Sequence, residues 1–399
     1  MVVQMMFKYR IYPSQKQKIR LLNQFKICKE IYNTLLGLNK KLMITKKFDF
    51  DSLVKDIKIT CPEHYTQAHS QVLQNVSDRL HKAFDNFFNR IKLRKKGIKI
   101  KAGYPRFKSR IQSITYPQSG FKFVSDKRLY ASKIGNIPIV LHRIPRGKIK
   151  TMTIKVNKAG QWFVCFSCEL SDSKVIHPSK ETSSIDVGIE NFLTDHKGET
   201  ISNPRFYVRA EKKLARLQRI HSKRKKGSKN REKSRIKVAR QHLKVANQRS
   251  DFLHKLTHSI TIQYGIIAGE KLNIKNMVRN HNLAKHILDV AWGKFYQMLT
   301  YKAVTSGCQL RKNPKTRGSS HRCSKCGFYV EDMPLSKRIF QCPSCGFVCH
   351  RDVNASNNHL KDTVGLTEIS KTPLEIPPLR HRSDGASGIV ELGTICDTV

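Results

Sequence analysis

Carboxylates are scarce in this chain. Its 399 residues carry 29 Asp and Glu against 76 Lys and Arg, a net charge of +47. An excess of one sign that large repels itself in a compact monomer. It also far exceeds the roughly 2–8 charges that keep a small domain soluble. A basic surface serving only solubility is therefore a poor explanation, and a polyanionic partner is expected. Long apolar runs are missing as well. No stretch approaches the roughly 18 residues needed to cross a bilayer, and the opening MVVQMMFKYR has no signal-peptide core. The expected polyanion is thus nucleic acid in the cytoplasm, with no membrane partner. Neither an internal repeat nor a tyrosine-nucleophile motif with paired histidines is found. Of 11 cysteines only four are paired in motifs. That is metal-site usage in a reducing compartment and not a disulfide framework. With 39% hydrophobic residues, the chain can bury the cores of two or three domains.

A strand-like run, Phe7 to Tyr12, ends at Pro13, and Ser14 with Gln17 reads as a capping box. Leu21, Phe25, Cys28, Tyr32 and Leu35 then follow at helical spacing. A loop is expected from Asp49 to Pro62. A second amphipathic helix carries Val72, Val76, Leu80, Phe84, Phe87 and Ile91, and the two stripes are expected to pack on each other. Residues 96–170 are β-rich and punctuated by Gly and Pro. TMTIKV and WFVCFSCEL read as a hairpin around Lys158-Ala159-Gly160, in a small barrel or sheet completed by the N-terminal strand. Tyr104, Arg106, Phe107, Lys108 and Arg110 interleave aromatic and basic groups, a mixture suited to base stacking and phosphate contact. Residues 209–249 are intensely basic around Lys223, Arg224, Lys225 and Lys226, with a thin apolar stripe. They read as two helices joined at Gly227-Ser228, packed on one side and lying along a phosphate backbone on the other.

Cys323-x2-Cys326 and Cys342-x2-Cys345, each closed by Gly (Gly327, Gly346), fit a four-thiolate zinc site. Four thiolates fill the coordination shell, so such a site is structural. The few acids are more telling. Asp186 lies in the alternating strand Ser184-Ile185-Asp186-Val187-Gly188-Ile189, where a buried carboxylate is costly unless a cation meets it, and Gly188 leaves room beside it for a ligand or backbone. Glu270 ends the strand-like run from Tyr264, and Asp352 opens a helix. Taken singly, each has an ordinary reading as a solvated acid or helix cap. Together, two strand carboxylates and one at a helix start can converge on a pair of divalent ions suited to phosphodiester hydrolysis. Carboxylate and water ligands suit Mg2+, with Mn2+ the alternative.

These segments resemble the TnpB family, insertion-sequence-encoded relatives of the compact type V CRISPR nucleases. FKYRIYPSQKQ, HSQVLQNVSDRLHKAFDNFF and GYPRFK are similar to its early motifs. SIDVGIENFLT, EKLNIKNM and HRDVNASNNHL look like its three RuvC motifs. The basic stretch and AWGKFYQMLTYKA also look like the family, and the CxxC pairs stand between the second and third RuvC motifs, where the family has a zinc ribbon. The resemblance spans roughly residues 5–360. It implies Asp186, Glu270 and Asp352 as catalytic carboxylates and Cys323, Cys326, Cys342 and Cys345 as zinc ligands.

The implied fold mixes α+β and α/β in a bilobed architecture. An oligonucleotide-binding β-barrel with an inserted helical domain is joined to an RNase H-like RuvC domain with an inserted zinc ribbon. Residues 1–13 would be the first barrel (wedge) strand, 14–95 the helical recognition domain and 96–180 the rest of the barrel. RuvC would occupy 181–319 and 349–362, the ribbon 320–348 and a disordered tail 363–399. The implied partners are a guide RNA from the mobile element and a double-stranded DNA target flanked by a short motif, bound by a monomer in the nucleoid of a bacterium or archaeon. Sequence reading would then be delegated to RNA–DNA pairing. Two competing readings are a nuclease-inactive RNA-guided repressor on the same scaffold and a DNA-binding accessory of a transposase. The order Asp, Glu, Asp fits RuvC and not the Asp, Asp, Glu order common in strand-transferring transposases.

Overall fold

The computed structural model describes residues 3–42, 47–170, 177, 179–313, 318–334 and 336–364. Residues up to 170 belong to one compact unit and those from 177 to a second.

The first unit opens with β1 (Val3–Ile11) and continues into α1 (Gln15–Leu42). The capping box forms: the Ser14 amide donates to Gln17 Oε1 at 2.9 Å, and the Gln17 amide to Ser14 Oγ at 3.3 Å. Next come α2 (Lys47–Thr60), a single-turn α3 (Pro62–Tyr65) and α4 (Ser70–Lys95). The expected loop from Asp49 to Pro62 is therefore mostly helix. Phe50, Val54 and Ile57 recur at i, i+4 and i+7 and are buried. Phe50 stacks on Phe84 of α4 at 5.9 Å between ring centroids. That short stripe sits in a polar, charged sequence and gains its helical state from tertiary packing rather than propensity.

The strands β2 (Ser113–Tyr116), β3 (Phe121–Ser125), β4 (Arg128–Ala131), β5 (Gly135–Val140), β6 (Lys148–Val156) and β7 (Trp162–Leu170) follow. With β1 they form a seven-stranded sheet in the order β2-β6-β7-β1-β5-β4-β3. The expected β6–β7 hairpin is present, closed by the Asn157 amide on the Gln161 carbonyl. The N-terminal strand lies mid-sheet, between β7 and β5. The helices are thus inserted between two strands of one sheet. Their apolar stripes and its buried face share one core, which includes Leu21, Phe25, Leu80, Phe166 and Trp162.

The second unit is built on β8 (Thr182–Asp186), β9 (Asn191–Asp195), β10 (Thr200–Ser202), β11 (Ile266–Gly269) and β12 (Gln309–Lys312), in the order β10-β9-β8-β11-β12. The first three strands pair antiparallel, while β11 runs parallel to β8 and β12. Between β10 and β11 run two basic helices, α5 (Phe206–Ser222) and α6 (Lys229–Gln263). The turn joining them holds Gly227, at φ +85°, and Ser228, whose side chain caps α6 by accepting the Arg231 amide. A single-turn α7 (Ile274–Met277), α8 (His281–Val290) and α9 (Trp292–Ser306) connect β11 to β12. A small two-stranded sheet, β13 (Ile339–Gln341) and β14 (Val348–His350), leads into α10 (Arg351–Val364). Most of the expected C-terminal tail lies outside the described residues.

Candidate active site

The parallel pairing of β8 and β11 decides where the acids go. Ile185 is in register with Gly269, so the next residues, Asp186 and Glu270, leave the sheet side by side at the C-terminal ends of adjacent strands. Gly269 packs against Ile185 and Tyr296, where a Cβ would make ordinary contact with Ile185 Cγ1 and the Tyr296 hydroxyl, each at 3.4 Å. Beyond Asp186, a Cβ on Gly188 would come within 2.9 Å of the Asn191 carbonyl. The space expected beside Asp186 is thus taken by backbone, the turn into β9.

Helix α10 is pinned to β8 by two buried serines. Ser184 Oγ donates to the Ser356 carbonyl at 2.7 Å, and Ser356 Oγ to the Ser184 carbonyl at 2.9 Å. This seating brings His359 to the two strand carboxylates: ligand atoms of Asp186, Glu270 and His359 lie within 4.8 Å of one another. Asp352, in the first turn of α10, stands outside that trio but close enough for the Asp186 charge to act on it. Burial, then repulsion from Asp186, pushes the Glu270 carboxyl above its ordinary pKa. The same two causes, in the same order, raise Asp352. Acids crowded and desolvated in this way are relieved by a bound cation, and their oxygen-rich donor set fits Mg2+ or Mn2+. His359 was not singled out from the sequence; a lone His on a helix carries no spacing signal until the helix is docked.

The four predicted thiolates also converge. Cys323 Sγ lies 3.7 Å from Cys345 Sγ, and Cys326 Sγ lies 3.5 Å from Cys342 Sγ. A tetrahedral zinc with bonds of about 2.3 Å spaces its sulfurs about 3.8 Å apart, so the set fits that ion. Both knuckles have the same form. The Gly327 amide donates to the Cys323 carbonyl and the Gly346 amide to the Cys342 carbonyl, with φ of +82° and +68° at the two glycines. The Phe328 amide, the main cause, holds the Cys326 thiol down at about 7, while burial pushes the Cys323 thiol up; a bound zinc would deprotonate both. Cysteines of the described residues are otherwise free thiols.

The residues predicted for nucleic-acid contact fall in two places. In the first unit, Tyr104 packs edge-on against Phe84 and Phe87, and its hydroxyl donates to Asn39 at 3.1 Å. Arg106 and Lys108 are exposed. The Lys108 backbone is clamped by Asn33, and its ammonium sits over the Tyr32 ring. In the second unit, Lys223, Arg224, Lys225 and Lys226 are exposed at the α5–α6 turn. Arg209, Lys213 and Lys244 line a cleft between those helices. No helix among the described residues is long and apolar enough to cross a membrane.

Three family models match the chain. One described as "Probable transposase" covers residues 165–281, one described as "Cas12f1-like, TNB domain" covers 292–359, and one described as a helix-turn-helix domain covers 1–44. The described part of that last stretch folds as strand β1 and the single helix α1. A Streptomyces pristinaespiralis protein named "Putative RNA-guided DNA endonuclease" is 33% identical over 368 residues, covering 89% of this chain and 88% of that protein. An Escherichia coli K12 protein named "Putative RNA-guided DNA endonuclease InsQ" is 28% identical over 379 residues, covering 89% and 91%. Among solved structures, the chain is similar in fold to a protein in the Cas12f1–sgRNA–target DNA complex. The TM-score is 0.54 at 14% identity, with 90% of this chain and 98% of that one covered.

Proposed function

The chain belongs to the TnpB family of transposon-associated RNA-guided endonucleases, and from that premise we propose that it cleaves double-stranded DNA beside a short motif, directed by a guide RNA from its own mobile element. One observation carries the reading. In a chain short of acids, two carboxylates 84 residues apart in sequence meet at the ends of adjacent parallel strands, next to a docked helix bearing a third. The strand order β10-β9-β8-β11-β12 supports assigning the second unit to an RNase H-like RuvC domain, with the cysteine knuckles as its inserted ribbon. The seven-stranded sheet with helices between β1 and β2 supports an oligonucleotide-binding barrel with an inserted recognition domain.

In this mechanism Asp186, Glu270 and Asp352 hold divalent cations at the scissile phosphate. Bound Mg2+ or Mn2+ supplies charge stabilisation for the attacking and leaving oxygens. Burial and, after it, repulsion from Asp186 raise Glu270 and Asp352 and keep the site poised for cations in an otherwise basic protein. Exposed Lys and Arg of the α5–α6 turn, with Arg106 and Lys108, contact phosphates without reading bases. Cys323, Cys326, Cys342 and Cys345 hold a structural Zn2+. The working form is a cytoplasmic monomer bound to guide RNA and then to DNA.

The test is cleavage of a plasmid library. The chain is expressed with its downstream flank as guide source, and sequences beside a matched target are randomised. Wild type is expected to cut beside a defined motif with Mg2+, while Asp186→Ala binds the target without cutting. Binding without cutting by wild type points instead to a guided repressor. Joined transposon ends made by the protein alone point to a transposase.

A further inference from the structure

Helix α10 delivers to the active site a histidine whose ring is held from behind. His359 and Asn313 are both fully buried. His359 Nε2 stands 3.4 Å from Asp186 Oδ1 and has no hydrogen-bond partner among the described residues. On the other side of the ring, Asn313 Nδ2 lies 3.0 Å from His359 Nδ1 and 3.1 Å from Asp362 Oδ2. A carboxylate only accepts, so Asp362 fixes which end of the Asn313 amide faces it: the NH2 group. That group's second hydrogen then points at His359 Nδ1, which must accept. The ring's own proton is thereby placed on Nε2, aimed at Asp186. The Asn313 backbone amide also donates to the Gly269 carbonyl at 2.8 Å, one residue before Glu270. One residue therefore ties the strand that leads into Glu270, through its backbone amide, to the ring that faces Asp186, through its side chain.

Asp362 is held in turn by Arg322 Nη2 at 2.5 Å. Arg322 directly precedes the first zinc cysteine. Its carbonyl accepts from Asn354 and Asn358 of α10, and the Ser324 amide donates to Asn354 Oδ1. Cys323 is thus flanked on both sides by residues bonded to the helix that carries His359.

We propose that His359 is a positioning residue for Asp186. Its Nε2–H, set by Asn313 and Asp362, donates to the Asp186 carboxylate and holds one oxygen so that the other faces a divalent cation. Arg322 anchors this arrangement to the first zinc knuckle. The 3.4 Å separation is long for a hydrogen bond, and a small rotation of either side chain closes it, as happens when apo sites load. The inference rests on the reading of Asp186 as a cation ligand. It departs from the alternative in which His359 is itself a ligand, because the fixed tautomer leaves Nε2 without a free lone pair.

The experiment measures Mn2+ binding to the zinc-loaded full chain by EPR, with no cleavage involved. His359→Gln keeps a donor near the Nε2 position and His359→Leu removes it; both lose the Nδ1 acceptor, so their difference isolates the donor. The expected result is affinity within about threefold of wild type for His359→Gln and a loss of about 10- to 100-fold for His359→Leu, the usual scale for a partner behind a metal ligand. Electron spin-echo modulation of wild-type Mn2+ is expected to show no imidazole nitrogen coupling, unchanged by 15N-histidine labelling. Equal losses in the two variants overturn the proposal. So does nitrogen coupling that changes on labelling, which needs no variant and makes His359 a ligand. Retained affinity in Asp186→Ala is a separate failure, that of the underlying cation site. Zinc content of each variant reports whether the ribbon is intact.

Discussion

Replacing Lys302 by Met should make the protein more stable at neutral pH, by an amount that shrinks as the solution becomes alkaline. Lys302, on α9, is 1% exposed, and its Nζ donates to the His254 carbonyl of α6 at 2.5 Å. Burial pulls its pKa down from 10.5 to about 8. At 1.36 kcal/mol per unit, keeping the ammonium charged in the fold costs about 3 kcal/mol at pH 7. Met fills nearly the same volume without that charge. His254 lies in mid-helix, where its carbonyl has an intrahelical partner, so little is left unsatisfied. A gain of about 1–3 kcal/mol is expected after packing adjustments. The sign is fixed by linkage. Between about pH 8 and 10.5 the unfolded chain holds a proton that the folded chain has lost, so wild-type stability rises with pH relative to the variant. Below pH 8 the full cost is present; above 10.5 it is gone. Guanidinium unfolding of both proteins at pH 7 and pH 9.5 measures the difference, and groups common to both, such as Cys308, cancel. A gap of equal size at the two pH values, or a less stable variant at pH 7, would refute the reasoning.

Neutralising Lys223, Arg224, Lys225 and Lys226 should weaken guide or heteroduplex binding and reduce the slope of log affinity against log salt by up to about 3, given roughly 0.7–0.9 per lost phosphate contact; filter binding at graded salt reads it, and an unchanged slope removes the assignment. Chelating zinc should open the ribbon and expose residues 318–350 to protease, since a four-thiolate site supplies on the order of 10 kcal/mol to a small module; mass spectrometry of limited digests tests this, and an unchanged digest counts against a structural zinc. In metal-free protein, Glu270→Gln should raise the unfolding temperature at pH 7. Its carboxyl has a raised pKa, so the wild-type cost is complete above that value, falls as pH drops through it and vanishes below the ordinary 4.5. Saturating Mg2+ should reverse the order at pH 7 by stabilising wild type alone, as scanning calorimetry would show.

Sequence alone determined whatever depends on residue type and short-range spacing. The Ser14–Gln17 box, the stripes of α1 and α4, the β6–β7 hairpin and the CxxC knuckles with their glycines are all local. Side-chain chemistry and a period of two or 3.6 residues suffice to specify them. The charge excess likewise is a property of residue type, and it raises the expectation of a polyanionic partner without any structure. Helix α2 escaped because its apolar positions, Phe50, Val54 and Ile57, are sparse and become meaningful only once Phe50 meets Phe84. What the tertiary structure decided is adjacency between distant segments. The parallel register of β8 with β11 puts Asp186 beside Glu270. The Ser184–Ser356 pair then seats α10 so that His359 and Asp352 come to that same edge. No spacing along the chain encodes these meetings, because they arise from burying sheet and helix faces together, and burial is a property of the whole core rather than of any one segment.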